Sequence, residues 1–391
     1  MDIRKIKLLS AIGLSAIMLA CTGSKTTSPG LITVNVEENY PEKELILQDF
    51  AEVEYVALES TDEWVTKGFV KAIGKDAIVV TNSGSDGDIF VFDRKTGKGI
   101  RKINHAGQSG EEYVQMTEIV WDEENKEMFV VDYPGRKVLV YDLQGNYKRS
   151  FKFADDSYYS YTYNYDKNHL ITFKGYSPKF ENENSCHVLL SKQDGSVVRE
   201  IRLPFKEIAT PVYVGAHEQY GEVTVMSQFF LTVPSSDGWK FTKTSCDTVY
   251  QYVDGKLQPF MARTPSIHSM NPQVFLYPTA LLGRYCFMYT QKKEVNMKTL
   301  RGFPSTELVY DKQENAAFEC RVQNADFVEK HSVSFIAAPV SEEVAICQLL
   351  NASDLVEAYQ EGKLKGRLKE IAATLGEEDN PVLMLVKRKD E

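Results

Sequence analysis

Five predicted loops carry the side chains best suited to bind a polar ligand. They are rich in aromatic, amide and carboxylate groups and comprise Asn82 to Asp88, His105 to Tyr113, Asp132 to Arg136, Lys174 to Phe180 and Ala216 to Tyr220. The candidate ligand-binding residues taken from them are His105, Gln108, Glu112, Tyr113, Asp132, Tyr133, Arg136, His217 and Tyr220. Polar groups of these types can orient a ligand such as a sugar while a Tyr ring stacks on it. The alternative interpretation is structural: Asp132 and Arg136 brace a turn, and Glu112 ties its loop to a neighbour.

Signals for metal or covalent chemistry in the sequence are weak. The Asn82 to Asp88 loop has the oxygen density of a calcium loop but lacks the spacing and the terminal Glu. The six histidines are scattered, and His217 does not begin an HExxH motif. The GQSGE segment that begins at Gly107 is one residue short of a nucleophile elbow and precedes a strand instead of a helix. We therefore predict no catalytic residue, no metal site and no cofactor.

The cysteines give no metal-binding or redox motif. Apart from Cys21, they are Cys186, Cys246, Cys286, Cys320 and Cys347. No two of them form a CxxC pair, and an odd number cannot all pair within the chain. Structural free thiols are the favoured interpretation, because a domain of this size does not need disulfides.

The elements that must position these residues are indicated by a repeat. Five times an apolar run ends in a polar residue and a turn, and a second apolar run follows. The polar residues are Asp93, Asp142, Ser191, Gln251 and Asp311, with separations of 49, 49, 60 and 60 residues. A repeat of this period built from hairpins is typical of propeller blades.

Each copy extends into a predicted four-stranded antiparallel blade. The best-formed blade has its innermost strand near Glu118 to Trp121 and its outermost strand near Phe151. The fourth blade is expected at Pro211 to Ala262. The C-terminal unit has three predicted strands and a helical insertion: Val333 to Ala338, Val344 to Leu349, Pro381 to Lys389, and the helical segment Ala352 to Leu375.

This last unit needs a fourth strand, and the N-terminal half of the chain supplies a candidate. Ala51 to Ser60 is an apolar segment of the right length with no partner of its own. Pairing it with the C-terminal unit would close the ring and cover two exposed sheet edges. The predicted fold is therefore all-β: a single six-bladed β-propeller, closed by an N-terminal strand and with a helical insertion in the last blade.

The N-terminus reads as a secretory signal. Arg4, Lys5 and Lys7 precede the apolar stretch Leu8 to Ala20, which is too short to span a bilayer. The cysteine that follows, Cys21, is the predicted lipidation site, and a plain secreted chain is the alternative. The predicted organisation is a signal peptide at 1–20, a lipid-anchored flexible linker at 21–45 and the propeller at 46–391. Anchoring by more than one acyl chain would hold the protein stably on a membrane.

Charge excludes one class of partner. The formal net charge of −10 becomes −12 once residues 1–20, with three basic residues and one acidic residue, are removed. Such an acidic protein is poorly suited to binding nucleic acid.

Two segments resemble known sequences. GIRKINHAGQSGEEYVQMTEIVWD, followed by VVDYPGRKVLVYD, is similar to the NHL-type repeat. The matching residues are Gly107, Gly110, Glu112, Tyr113, Asp132 and Arg136. The chain from about residue 30 to 391, together with its lipoprotein signal, looks like the six-bladed β-propeller lipoproteins of Bacteroidota. This resemblance implies the fold and a lipid anchor and no particular reaction.

Three functional hypotheses follow. The first is a non-enzymatic, lipid-anchored propeller of the cell envelope that binds a polar ligand, such as a glycan, or a protein partner at its channel face. The second is an envelope lyase or hydrolase acting on a carbohydrate or lactone. The third is a structural assembly module. The expected location is the outer membrane, with the periplasmic and surface faces both open.

Overall fold

The fold is a ring of six β-sheets around a central channel. A computed structural model describes residues 30–82, 86–176 and 181–389. The sheets are the blades of a propeller, so the predicted all-β architecture is confirmed. No helix in these three ranges is both long and apolar enough to cross a lipid bilayer.

The N-terminal segment contributes three strands and one turn of helix. These are β1 (Ile32–Asn35), β2 (Glu42–Ile46), α1 (Leu47–Phe50) and β3 (Ala51–Ala57). Their partners lie in the last three blades, as set out below.

The first three blades are regular four-stranded meanders. Blade 1 contains β4 (Phe69–Ile73), β5 (Ala77–Thr81), β6 (Asp88–Asp93) and β7 (Gly99–Asn104). Blade 2 contains β8 (Met116–Asp122), β9 (Glu127–Asp132), β10 (Lys137–Asp142) and β11 (Tyr147–Lys152). Blade 3 contains β12 (Tyr158–Asn164), β13 (His169–Gly175), β14 (Cys186–Ser191) and β15 (Val197–Ile201).

The next two blades carry additional hairpins. A separate hairpin, β16 (Val212–His217) and β17 (Gly221–Met226), precedes blade 4. Blade 4 contains β18 (Thr232–Val233), β19 (Trp239–Phe241), β20 (Thr248–Val253) and β21 (Lys256–Thr264). Blade 5 is formed by β22 (Val274–Leu282), β23 (Tyr285–Lys292), β26 (Ser305–Asp311) and β27 (Ala316–Gln323), with the small hairpin β24 (Val295–Asn296) and β25 (Arg301–Gly302) inserted.

The sixth blade is built from both ends of the chain. The short β28 (Ser332–Val333) pairs with β27 of blade 5. Blade 6 itself contains β29 (Val344–Leu350), β30 (Val382–Arg388) and β3, in that order. The helices α2 (Ala352–Gln360) and α3 (Gly366–Ala372) lie between β29 and β30. The predicted closure by the N-terminal strand is confirmed, since Ala51 to Ala57 pair with Arg388 to Val382.

Buried apolar clusters join each blade to the next. Between blades 1 and 2, for example, Val79 and Val91 pack with Val130 and Leu139. The junction that closes the ring packs Val56 and Leu383 against side chains of blade 1. Within the described ranges, six clusters of this kind follow one another around the ring. The alternating strand pattern therefore buries both faces of each blade, as predicted for strands packed between neighbouring blades.

Three sequence-based boundaries were wrong. Blade 4 was placed at Pro211 to Ala262, but residues 212–226 form their own hairpin and the blade begins at Thr232. The polar residue of the fourth repeat lies inside β20, since Gln251 precedes the end of the strand at Val253. The predicted strand Val333 to Ala338 is irregular after Val333, so blade 6 has three strands instead of four.

The predicted flexible linker at 21–45 was also wrong where the structure describes it. The segment from β1 to β2 is a strap on the rim: β1 pairs in parallel with β21, and β2 pairs in parallel with β27. Ile32 and Val34 are buried while Thr33 is exposed, which is the alternation of a half-buried strand. The strap forms because the outer edges of blades 4 and 5 offer unpaired backbone groups.

A buried ion pair fixes this strap. Lys43 Nζ of β2 lies 2.7 Å from Asp311 Oδ2 and 2.6 Å from Glu314 Oε1. The Asp311 side chain has no exposed surface, whereas Lys43 retains 16%. Arg284 also contacts Asp311, at 3.1 Å.

We expect Lys43→Met to lower the free energy of unfolding by about 1 to 3 kcal/mol, because a buried carboxylate would lose one of its two cations. The measurement is urea denaturation of the purified protein. The matched control is Arg321→Met, whose pair with Glu42 is more than half exposed on both sides, and which should cost about 0.5 kcal/mol or less. Equal effects of the two substitutions would contradict the anchoring role of Lys43.

A buried histidine links blades 3 and 4. His187 Nε2 donates to the Leu231 carbonyl at 3.1 Å, and the imidazole stacks on Phe241 at 4.2 Å between centroids. Burial lowers the pKa of His187 to about 3. The unfolded chain therefore binds a proton near pH 6.5 that the folded protein excludes.

We expect stability to fall as the pH drops from about 6.5 to 4, with His187 contributing up to about 3 kcal/mol of that loss. Well above about pH 6.5 His187 causes no such loss, because the imidazole is then neutral in both states. His187→Phe should reduce the pH dependence measured by urea denaturation across this range. An unchanged slope in His187→Phe would show that the folded state accepts the proton.

Candidate functional site

A large concave space in the described part of the molecule is the central channel. It has a volume of about 1510 Å³ and is lined by inner strands β4, β8 and β12, by residues 338–343 and by Trp239 of blade 4. Short turns after the first strand of blades 1 and 2 also line it, including Gly74 to Asp76 and Glu123 to Lys126. The channel therefore opens on the face that carries the turns between first and second strands, here called the short-turn face. The opposite face, where the chain crosses between blades, is called the crossover face.

A lysine and a glutamate lie side by side in the channel wall. Lys71 of β4 donates through Nζ to the Thr117 carbonyl at 2.8 Å. The next residue of β8, Glu118, accepts from the backbone N–H groups of Tyr161 at 2.6 Å and Thr162 at 2.9 Å. Three successive inner strands are thus joined by two polar side chains.

This arrangement perturbs both ionisable groups. Burial raises the pKa of Glu118, and the two backbone donors and Lys71 offset only part of that effect. Burial likewise lowers the pKa of Lys71, with the Glu118 charge opposing the shift. Both side chains nevertheless keep some exposed surface, because the channel gives solvent access to them. Perturbed acids and bases in a cleft mark a candidate functional site.

Glu118 also stabilises an unusual backbone conformation at Tyr161. Tyr161 has φ of 55°, in the left-handed region, at an irregularity of the pairing between β12 and β13. A bulky residue rarely adopts this conformation without compensating contacts. The Glu118 carboxylate supplies one such contact through the Tyr161 N–H group.

An aromatic wall lines the side of the channel next to blades 3 and 4. Tyr163 of β12 and Tyr165, which directly follows the strand, contact Trp239, with ring centroids 5.8 and 5.9 Å apart. The Tyr163 hydroxyl donates to the Pro339 carbonyl at 3.1 Å and fixes the irregular segment of blade 6. Trp121 of β8 lies on another part of the lining and donates through Nε1 to Glu123 at 3.3 Å. Aromatic faces of this kind suit stacking on a ligand ring.

A second aromatic cluster limits the channel on the side of blades 4 and 5. The Tyr161 hydroxyl donates to the Phe229 carbonyl at 2.9 Å, and Tyr289 donates to the Gln228 carbonyl at 3.0 Å. Phe229 in turn stacks with Tyr277 of β22 at 6.1 Å between centroids. As far as the chain is described, no residue of β22 lines the channel, so the open space is displaced toward blades 1 to 3.

The candidate side chains of the loop at 105–113 form contacts within the protein that hold the loop in place. The buried Tyr113 hydroxyl donates to the Gly87 carbonyl at 2.7 Å and accepts from the His105 N–H group at 2.9 Å. The His105 ring stacks on Tyr141 at 4.9 Å, and Glu112 accepts from the Ser109 N–H group at 2.9 Å. The remaining candidate here, Gln108, is exposed.

The turn at 132–136 is braced in the same manner. Buried Asp132 accepts from the Gln115 and Gly135 N–H groups at 3.2 and 3.3 Å. Arg136 donates to the Asp155 carbonyl at 2.6 Å, and Tyr133 stacks on Tyr158 at 4.4 Å. These contacts agree with the structural interpretation of Asp132, Arg136 and Glu112.

The last two candidates lie on the separate hairpin formed by β16 and β17. His217 and Tyr220 stack on each other at 4.7 Å, and the Tyr220 side chain is 62% exposed. The hairpin also exposes Val214 and Met226. The structure therefore brings the candidates at 105–136 together on the crossover face and leaves His217 and Tyr220 apart. None of the nine candidates lines the channel, and their role in ligand binding stays a prediction.

Sequence reasoning missed the residues that do line the channel: Lys71, Glu118, Tyr163, Tyr165, Trp121 and Trp239. One signal was available, since the innermost strand of blade 2 was predicted at Glu118 to Trp121. Polar and aromatic side chains on an innermost strand have only the channel or a neighbouring blade to face.

The described residues include no group of three or more His, Cys, Asp or Glu side chains placed to hold a metal ion. The predicted Asn82 to Asp88 loop lies partly outside the described residues, and Cys21 lies wholly outside them. The five described cysteines, Cys186, Cys246, Cys286, Cys320 and Cys347, form no disulfide.

We expect Glu118→Ala to lower the free energy of unfolding by about 2 to 4 kcal/mol, because two inward backbone N–H groups would lose their acceptor. Glu118→Gln keeps one oxygen acceptor and should cost about half as much. Urea denaturation measures both, and Glu124→Ala, an exposed residue of the same blade, is the control. A neutral effect of Glu118→Ala would mean that water replaces the carboxylate.

Comparisons with known proteins identify the fold family. A crystal structure of a Bacteroides fragilis protein, whose name describes it as exported, aligns with a TM-score of 0.59 at 13% identity and covers 92% of this chain and 100% of that one. A Bacteroides vulgatus member of the DUF4221 family aligns with a TM-score of 0.50 at 10% identity, covering 88% and 100%. No curated protein matches the sequence. The family described as 6-bladed beta-propeller, DUF5128, matches residues 23–348, and the protein therefore belongs to the DUF5128 family of six-bladed β-propellers.

Proposed function

We propose that this propeller is a non-enzymatic binding module of the cell envelope and that its channel holds a polar ligand such as a glycan. The observation that carries the proposal is the channel lining, where Tyr163, Tyr165 and Trp239 stand beside the polar pair Lys71 and Glu118. Ligand sites combine an apolar or aromatic surface with a few placed polar groups. Sugars present an apolar ring face and a polar edge, which this combination complements.

The size of the channel supports a ligand larger than one sugar. Its volume of about 1510 Å³ exceeds the roughly 300 to 1,000 Å³ of ordinary small-molecule pockets. An oligosaccharide or a short segment of an envelope protein would fill such a space better than a monosaccharide.

The location forms part of the same proposal. The signal pattern at residues 1–20 favours a lipid anchor on Cys21, and thus the outer membrane as the membrane partner. The similar Bacteroides fragilis protein is described as exported. Periplasmic and surface placement are both compatible with this anchor.

We expect Tyr165→Ala and Trp121→Ala to weaken binding of a channel ligand about tenfold each, the loss of one stacking contact. The measurement is a thermal-shift screen of the purified protein against a glycan panel, followed by titration calorimetry on any glycan that raises the midpoint. Tyr220→Ala and Tyr133→Ala on the crossover side are the matched controls and should bind normally.

Loss of binding in the controls alone would place the ligand on the crossover face, where the sequence had predicted it. Loss in none of the four variants would move the site elsewhere on the molecule. If no glycan shifts the midpoint, the proposal for a glycan is wrong and an envelope protein becomes the ligand to test.

One observation favours an enzyme as the second candidate. Glu118 is a channel carboxyl whose pKa is raised by burial, as general acids require. An envelope lyase or hydrolase acting on a carbohydrate or lactone would use it to transfer a proton. This candidate predicts turnover by the native protein, measured as new reducing ends or opened lactone, and its loss in Glu118→Gln.

A further inference from the structure

The buried lysines of this protein fall into two groups, those that contact a carboxylate and those that do not. Most of the well-buried ones form ion pairs within 3.0 Å: Lys43, Lys174, Lys192, Lys240 and Lys387 each contact an Asp or Glu. Lys71, by contrast, has no carboxylate oxygen of a described residue within 4.0 Å. Its Nζ donates to the Thr117 carbonyl. An ammonium group has three donors, so two of them remain for another molecule.

Access to the channel separates Lys71 from Lys243 and Lys293, two other lysines that are at least partly buried and lack an ion pair. Lys243 is buried, contacts the carbonyls of Asn182 and Ser185, and lies over the Phe205 ring. Lys293 contacts the Thr210 carbonyl. Of these three side chains, Lys71 alone lines the channel. It therefore combines a half-buried amine with a route for a ligand.

The charge of the channel lining argues against an anion as the partner of Lys71. The lining includes three lysines, Lys71, Lys75 and Lys126. It also includes seven carboxylates: Asp76, Asp93, Glu118, Glu123, Glu124, Glu342 and Glu343. This formal excess of four negative charges would oppose the entry of an anionic ligand. A neutral group that reacts with an amine fits the site better.

We propose that Lys71 is a nucleophilic amine with which the channel captures a neutral aldehyde or ketone, such as the open-chain reducing end of a sugar, as an imine. The inference rests on the proposed function, since it assigns the chemistry of the ligand in that same channel. Burial disfavours the charged ammonium and so increases the fraction of free amine.

The reaction balances without a redox partner. The Nζ lone pair attacks the carbonyl carbon and forms a C–N bond. The C–O bond then breaks, and the oxygen leaves as water with the two hydrogens that the amine gives up. Glu118, the neighbouring carboxyl whose charge acts on Lys71, can donate the proton that the leaving oxygen needs and take one back from the nitrogen.

The test is reductive trapping on the purified protein. D-glyceraldehyde, a small neutral sugar aldehyde, is incubated with the protein and cyanoborohydride, and modified lysines are located by peptide mass spectrometry. We expect Lys71 to be modified about tenfold faster than Lys75, because burial increases the fraction of free amine at Lys71. Lys75 is the matched comparison because it is exposed and lines the same channel. Lys243, which is buried away from the channel, should react slowly.

Lys71→Arg should abolish this selective labelling, and Lys75→Arg should leave it intact. The thermal midpoint of each variant verifies that it folds. Modification of Lys71 no faster than that of Lys75 overturns the inference, and so does selective labelling that persists at another lysine in Lys71→Arg.

A methyl glycoside, which has no free aldehyde, is titrated in parallel. If the glycoside binds in the channel while Lys71 is not trapped, the proposed function stands and the imine is wrong. If Lys71 is trapped while no glycoside binds, the imine stands and the proposed binding of glycans in the channel is wrong.

Discussion

Closure of the ring is the constraint on which the rest of this structure depends. Blade 6 is complete only when β3, from the start of the described chain, pairs with β30 at its end. That pairing closes a loop of more than 300 residues, yet closure entropy grows only with the logarithm of length. Such a loop costs about 2 kcal/mol more than one a tenth as long. The apolar cluster between blades 6 and 1, which includes Val56, Leu383 and Leu385, offsets this cost by removing apolar surface from water.

The irregular part of blade 6 then shapes the channel. Residues 334–343 follow the inner side of this blade without forming a strand, and part of that segment lines the open space. The Tyr163 hydroxyl, from the far side of the channel, holds the segment at the Pro339 carbonyl. Blades 4 and 5 contribute the aromatic cluster around Phe229 and Tyr277 instead of open wall. The resulting channel is asymmetric, and its polar residues come from blades 1 to 3 and from the irregular segment of blade 6.

Much of this architecture could be predicted from the sequence, because strand alternation and repeated turns are local signals. The repeat placed Asp93, Asp142 and Asp311 correctly at strand ends. Where the turn residues diverged, as at Gln251, the alignment slipped by two positions. The strap was missed for a different reason: Ile32 to Asn35 is only four residues long, and its partner edge is more than 200 residues away in the chain. No local pattern predicts which edge a short parallel strand will cover.

The site was harder to predict than the fold, because residue type alone does not distinguish a side chain that braces from one that binds. Tyr113 was predicted to bind a ligand because it is an aromatic residue in a polar loop. Its hydroxyl, however, already donates to the Gly87 carbonyl and accepts from the His105 N–H group. Its capacity for further hydrogen bonds is nearly exhausted by the fold. Lys71 gave no comparable signal in the sequence, but it uses one donor for Thr117 and faces the channel. The distinction therefore depends on how many bonds the folded chain has already satisfied, which only the three-dimensional contacts provide.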